Sequence, residues 1–273
     1  GRHDLLHVTT GPVRDRDAAP EARALTLFAV DHGGLRPEAI PAEAQVVFTT
    51  PSHQCPTTAT MSMARRHELL AKAERDDFLI VEDDYESEMS FLKPAYPALK
   101  SLDKNGRVIY VGSFSKSLFP GLRLGYLVGP APFIREARAL RASVLRHPPG
   151  HIQRTVTYFL SRGHYDAHVR RISRAFHERR TQIDAALDEH GLEVAGAGSF
   201  GGSSLWMRAP DQIDTRDLAQ RLASKSVLIE PGETFFSGPN PPQNFYRLAY
   251  SSIPSQRIAK GIEILAQTLR EQA

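Results

Sequence analysis

Apolar positions in this chain come in short runs separated by polar, turn-rich segments. Ala24–Val30 (ALTLFAV), Val46–Thr50 (VVFTT), Phe78–Val81 (FLIV), Val108–Val111 (VIYV) and Leu124–Val128 (LGYLV) each have strand length. Asp31-His32-Gly33-Gly34 supplies turn chemistry after the first run, and Pro51 ends the second. Between the second and third runs the period lengthens. Met63, Leu69, Leu70 and Ala73 mark the apolar side of a predicted helix over Met61–Arg75, and Arg65, Arg66, Glu68 and Lys72 its wet side. Short apolar runs alternating with helix predict an α/β fold with a largely parallel sheet.

The second half has a different texture. Phe133–Leu145 is a predicted helix ended by His147-Pro148-Pro149-Gly150, and Gln153–Leu187 is long, helical and arginine-rich, with Gly163 as an interruption. Arg170, Arg171, Arg174, Arg179 and Arg180 cover much of one helix surface, which is most simply a solvated or salt-bridged face. From Gly191 the pattern becomes α+β. Ser203–Met207 is a predicted strand, Thr215–Ser224 a helix capped by Asp214, Val227–Ile229 strand-like, Phe245–Tyr250 an alternating strand, and Ile258–Arg270 a closing amphipathic helix. The expected organisation is part of a large domain over residues 1–150, a long interdomain helix region over 151–189, and a small C-terminal α+β domain over 190–273.

Composition narrows the class. A hydrophobic content of 41% with 24% charged residues is that of a globular chain rather than a disordered one. No apolar run approaches the roughly 20 residues a membrane helix needs, and the opening GRHDLLHVTTGP has no apolar signal core. The single cysteine, Cys55, excludes an internal disulfide and fits the cytoplasm; it is expected to be a packed small side chain rather than a nucleophile. A net charge of +3 is too mild to argue for nucleic-acid binding by this segment. Eleven histidines without ligand spacing predict no metal site. A chain opening on Gly1 reads as a fragment.

Ligands of parallel sheets gather beyond the carboxyl ends of the strands. Three polar clusters lie at such ends: Ser52–Thr58 (SHQCPTT), Glu82–Tyr85 (EDDY) and the loop within GSFSKSLFPGLRLG, Gly112–Gly125. In the last, Lys116 follows a buried strand, where desolvation favours a neutral amine able to condense with an aldehyde. The hydroxyls of Ser113 and Ser115 and the guanidinium of Arg123 suit a phosphate dianion. Lysine, hydroxyls and arginine together point to pyridoxal 5'-phosphate held as a Schiff base. The S-x-x-K spacing also occurs in serine β-lactamases, but their S-D-N and K-T-G strings are absent here. Asp83 is placed to pair with the protonated pyridine nitrogen, and Tyr85 to donate to the phenolate oxygen. The alternative for Glu82, Asp83 and Asp84 is a helix N-cap or a magnesium site. Arg247, inside an apolar strand, needs a partner, either a substrate carboxylate or an internal acid. His53 and Gln54 are placed to line the cofactor cleft, and Trp206 and Phe235-Phe236 are expected core.

The strings TTPSHQCPT, VEDDYESE, SFSKSLFPGLRLGYLVG, GHYDAHVRRISRAFHERR and VLIEPGETFF resemble the aminotransferase-like domain of MocR-type regulators. These are GntR-superfamily transcription factors in which a winged helix-turn-helix is fused to a fold-type-I aminotransferase domain. The similarity runs from about residue 24 to 270. It implies a mostly parallel large domain plus a smaller α+β domain, with an internal aldimine on Lys116, Asp83 on the pyridine nitrogen and Tyr85 on the cofactor hydroxyl. Ser113, Ser115 and Arg123 would hold the phosphate, and Arg247 an effector carboxylate. It implies a head-to-tail homodimer, DNA contact only through an N-terminal winged helix outside this sequence, and a small amino compound bound as an external aldimine on Lys116. The other reading is an active class I/II aminotransferase using the same residues. The sequence departs from ordinary aminotransferases where N-P-T-G becomes C-P-T-T, placing Cys55 at the asparagine position. The family's domain also normally begins before residue 1, with a glycine turn under the phosphate and an aromatic ring over the pyridoxal.

Overall fold

The computed structural model describes residues 28–237 and 239–272. Residues 24–27 of the first predicted strand lie outside that set. The described chain opens with a two-residue antiparallel ladder, β1 (Val30–Asp31) with β2 (Gly34–Leu35), closed by the Gly33 N–H donating to Asp31 Oδ1 at 2.7 Å.

The first sheet has the order β3 (Val46–Thr49), β4 (Leu79–Asp84), β5 (Val108–Ser113), β6 (Gly125–Val128). The first two pairings are parallel and the third antiparallel. The crossover from β3 to β4 is α1 (Met63–Arg75), which begins two residues later than its apolar pattern because Ser62 is its N-cap. Leu69 and Ala73 of α1 pack with Val47, Phe78, Ile80 and Val108 in one hydrophobic core. The strand pattern ending at Val81 understates β4. Its ladder with β5 runs on to Asp84↔Gly112, so the acidic triplet lies within the strand rather than after it. This extension is tolerated because Glu82 and Asp84 find partners on one face.

The predicted long helix is two helices, α4 (Gly150–Ser161) and α5 (His164–His190), after α3 (Ala131–Leu145). Gly163 stands between α4 and α5 in the left-handed region, φ 71°. The second sheet is antiparallel, in the order β7 (Glu193–Val194), β8 (Ser204–Arg208), β10 (Phe245–Ala249), β9 (Glu230–Pro231). Its core joins Ile183 and Leu187 of α5 to Leu218 and Leu222 of α6 (Thr215–Ser224) and to Ile262 and Leu265 of α7 (Ile258–Arg270). Trp206 is buried against Phe235, Phe236 and Phe245, as expected of core. Val227–Ile229 is not a strand. The Val227 N–H is committed to the Leu222 carbonyl closing α6, and pairing with β10 starts only at Glu230.

The two sheets meet where Gly201 adopts φ +130°, a conformation closed to side-chain-bearing residues, and where a Cβ would sit on the Met89 carbonyl oxygen. That close approach lets the Gly202 N–H reach Met89 O at 3.0 Å and sets Ser203 against Glu86.

Candidate functional site

Each of the three polar clusters is held by its own local device. The loop after β3 closes on itself: the Gln54 N–H donates to Ala59 O (2.9 Å), and that of Met61 to Pro51 O (2.8 Å). Arg66, wholly buried, ties both ends by donating to Pro51 O (2.9 Å) and Met61 O (3.0 Å). This presents His53 and Cys55. In β4 the acids alternate. Glu82 accepts the Leu99 and Lys100 N–H groups at 2.7 and 2.8 Å, at the first turn of α2 (Leu99–Leu102), and lies 3.8 Å from Arg66. Asp84 accepts from the Tyr110 hydroxyl at 3.1 Å. For Glu82 the helix-cap alternative is therefore what the structure shows. Asp83 points the other way and has no hydrogen-bond or ion-pair partner among the described residues.

In the lysine loop, the Ser115 N–H donates to Ser113 Oγ (3.1 Å), and the Phe114 N–H to Leu124 O (3.1 Å), which returns the chain at Leu124 alongside Phe114. Arg123 takes a left-handed conformation, φ 51°, and its exposed side chain has no partner among the described residues. Lys116 is 43% exposed, with Nζ 3.9 Å from Glu86 Oε1. Glu86 is buried and accepts from the Ser203 backbone N–H and hydroxyl.

The predicted residues come together through these contacts. The Tyr85 hydroxyl donates to the His53 carbonyl at 2.9 Å, and Tyr85 lies within electrostatic reach of Asp83, Cys55, Glu86 and Arg247. Cys55 senses both Arg247 and Lys116. Asp83, Tyr85, Cys55, Glu86, Lys116 and Arg247 are thus linked by electrostatic reach, whereas Ser113, Ser115 and Arg123 make no hydrogen bond or ion pair to this group among the described residues. Burial raises the Asp83 carboxyl above its usual range and holds the Tyr85 hydroxyl well above its own. It also pushes the Cys55 thiol up, which keeps it protonated and a poor nucleophile. His53, at 2% exposure, is pushed down by burial and stays neutral, with neither ring nitrogen hydrogen-bonded.

Five residues around the lysine loop escape sequence reading. They are Glu86, and the Glu88–Tyr165–Ser117 bridge in which the Tyr165 hydroxyl touches Glu88 and lies 2.9 Å from Ser117 Oγ. His168 Nε2 sits 2.9 Å from the Ser117 carbonyl. Tyr165 and His168 are three apart on α5, the spacing that puts two side chains on one helix face, and that was the available signal.

The aminotransferase class I and II family matches residues 28–265. The chain belongs to that family. It is 60% identical, over 88% of its length, to the HTH-type transcriptional regulator TauR of Rhodobacter capsulatus, of which it covers 50%. It is 33% identical, over 81% of its length, to the probable rhizopine catabolism regulatory protein MocR of Rhizobium meliloti, covering 45% of it. The chain spans about half the length of these curated relatives. Among solved structures, a kynurenine aminotransferase of Pyrococcus horikoshii superposes with a TM-score of 0.80 at 31% identity, covering 89% of this chain and 62% of that one; it was solved in complex with PMP. The fold is accordingly that of the fold-type-I aminotransferases, and the cofactor it implies is pyridoxal phosphate. The residues present offer the chemistry that group needs: an unpartnered, part-buried carboxylate at Asp83, an unpartnered guanidinium at Arg123 and hydroxyls at Ser113 and Ser115 in one loop, and an amine at Lys116 within electrostatic reach of Cys55.

Proposed function

We propose that this chain is the effector-sensing, pyridoxal-phosphate-binding part of a cytoplasmic HTH-type transcriptional regulator. The unpartnered Asp83 carboxylate carries the reading. A carboxylate this desolvated is costly unless a cation reaches it; by contrast its strand neighbour Glu82 accepts two backbone N–H groups, and Asp84 accepts from the Tyr110 hydroxyl. A protonated pyridine nitrogen is such a cation. Bound here, pyridoxal phosphate supplies an aldehyde for amines and a ring that withdraws electrons.

The chain's own residues do the rest. Lys116 offers the amine, and Asp83 holds the proton at the ring nitrogen. Ser113, Ser115 and Arg123 bind the phosphate, while Tyr85 and neutral His53 line the ring's cleft. Arg247 grips the acid group of an amino-compound effector that competes with Lys116. The regulator names of the two relatives support sensing over turnover; in this reading DNA is contacted by a segment outside this sequence, and two copies pair head to tail. Helices among the described residues include none long and apolar enough to cross a membrane.

The test is the absorbance of full-length protein mixed with pyridoxal phosphate. A near-visible band is expected, and Lys116→Ala should abolish it. A wild-type protein without the band refutes the reading. Rapid consumption of an amino donor with a 2-oxo acid acceptor would move the assignment to an active aminotransferase.

A further inference from the structure

Arg247 is not free in this structure. β10 and β9 place it opposite Glu230, and its Nη1 lies 2.6 Å from Glu230 Oε2. Its Nε donates to Ser204 Oγ at 3.0 Å. A guanidinium has five N–H groups, and the other three have no partner among the described residues. The two side chains differ in freedom. That of Arg247 is 20% exposed and that of Glu230 52%. Arg247 is pinned by Ser204 of β8 and Glu230 of β9 and lies within electrostatic reach of Cys55 and Tyr85, whereas Glu230 can swing into water.

We propose that Glu230 is a specificity-determining residue, a tethered carboxylate that holds Arg247 until the acid group of an effector replaces it. The proposal rests on the reading of Arg247 as the effector's acid grip. An incoming acid has two choices. It can displace Glu230, losing the ion pair, or bind the remaining N–H groups beside it, with two anions on one cation. Both subtract from the affinity for acids, and neither touches an uncharged ligand of the same shape. Glu230 thus raises the concentration at which an acidic effector occupies the site. It favours effectors whose acid group outcompetes an exposed carboxylate.

The test uses propionate, which has the acid and no amine, so it bypasses Lys116 and the cofactor. Binding to full-length protein is followed by NMR on the arginine Nε–H resonances. Removing a partly exposed competitor should tighten propionate by about fivefold in Glu230→Gln. Propionamide should bind the two proteins alike, and Arg247→Met should abolish propionate binding in either background. Glu230→Asp, whose carboxylate is withdrawn by one methylene, should shift affinity the same way by less, and serves if the glutamine variant does not fold. Equal or weaker propionate binding in the variants overturns the proposal. So does a propionamide change in step with propionate, or no propionate binding in any of the proteins. Failure of the cofactor reading would appear separately, as a missing near-visible band, and leaves this result interpretable.

Discussion

Glu82 and Asp83 are adjacent in one strand and carry the same charge, yet they face opposite sides of the sheet. Glu82 is fully buried, accepts two backbone N–H groups at the start of α2 and lies 3.8 Å from Arg66. Asp83 is half-buried and has no partner among the described residues; burial is the cause of its raised pKa. The same side-chain chemistry is a scaffold on one face and an open valence on the other. A satisfied buried carboxylate reports on folding, and an unsatisfied one reports on what the fold was built to hold.

The largest effect that would break this contrast lies on the scaffold side. Arg66 donates to three carbonyls, Pro51, Met61 and Pro97, and neutralises Glu82. Arg66→Ala leaves those oxygens and a buried carboxylate uncompensated, and should cost about 3–5 kcal/mol in urea unfolding. It should also loosen the His53–Cys55 loop, whose two ends Arg66 ties together. A loss under about 1 kcal/mol would mean that the pair is incidental, as many exposed ones are.

A smaller effect comes from pH. Burial pushes Glu82 up to about 7, against the N–H donors of Lys100 and Leu99 and the Arg66 charge, which pull it down. The folded value lies above the ordinary 4.5, so the folded chain holds this proton more tightly than the unfolded one. The contribution of Glu82 to stability is therefore fullest below 4.5 and is lost as pH rises to about 7. Its slope is bounded at about 1.4 kcal/mol per pH unit. Urea midpoints across that window should fall less steeply in Glu82→Gln than in wild type. Parallel slopes would place the titration elsewhere.

The contrast also shows what could be read from the chain beforehand. Periodicity located most strands and helices, because local apolar spacing is what drives them to pack. Lys116, Asp83 and Arg123 could be singled out as candidates because they follow or adjoin apolar runs of strand length, where short-range pattern and chemistry coincide. That Asp83 lies inside a strand was not legible, because acids are poor strand formers and it is the pairing with β5, and of Glu82 with β3, that holds them extended. Nor were Glu86 and Ser117. Glu86 meets Ser203 across 117 positions, and Ser117 meets Tyr165 across 48, and no local pattern encodes such contacts. Arg247 was read as needing a partner; that the partner is Glu230 follows only from the register of β9 on β10.

The smallest stability effect belongs to Asp83. Its folded carboxyl titrates above its ordinary range because burial penalises the charge and no group compensates it. At neutral pH that charge subtracts from stability, and removing it as Asp83→Asn should leave the chain equally stable or slightly more so, by less than about 1 kcal/mol. The sign follows from linkage: the gain should be present at neutral pH and vanish as the medium falls below the unfolded carboxyl range, where both states are protonated. The same substitution should weaken pyridoxal phosphate binding, since an amide cannot hold the proton at a pyridine nitrogen. A chain that keeps its stability and loses its cofactor would set Asp83 apart from Glu82 as a binding residue. If Asp83→Asn is instead destabilised by as much as Arg66→Ala, both acids are scaffold, and the contrast between the two faces of β4 disappears.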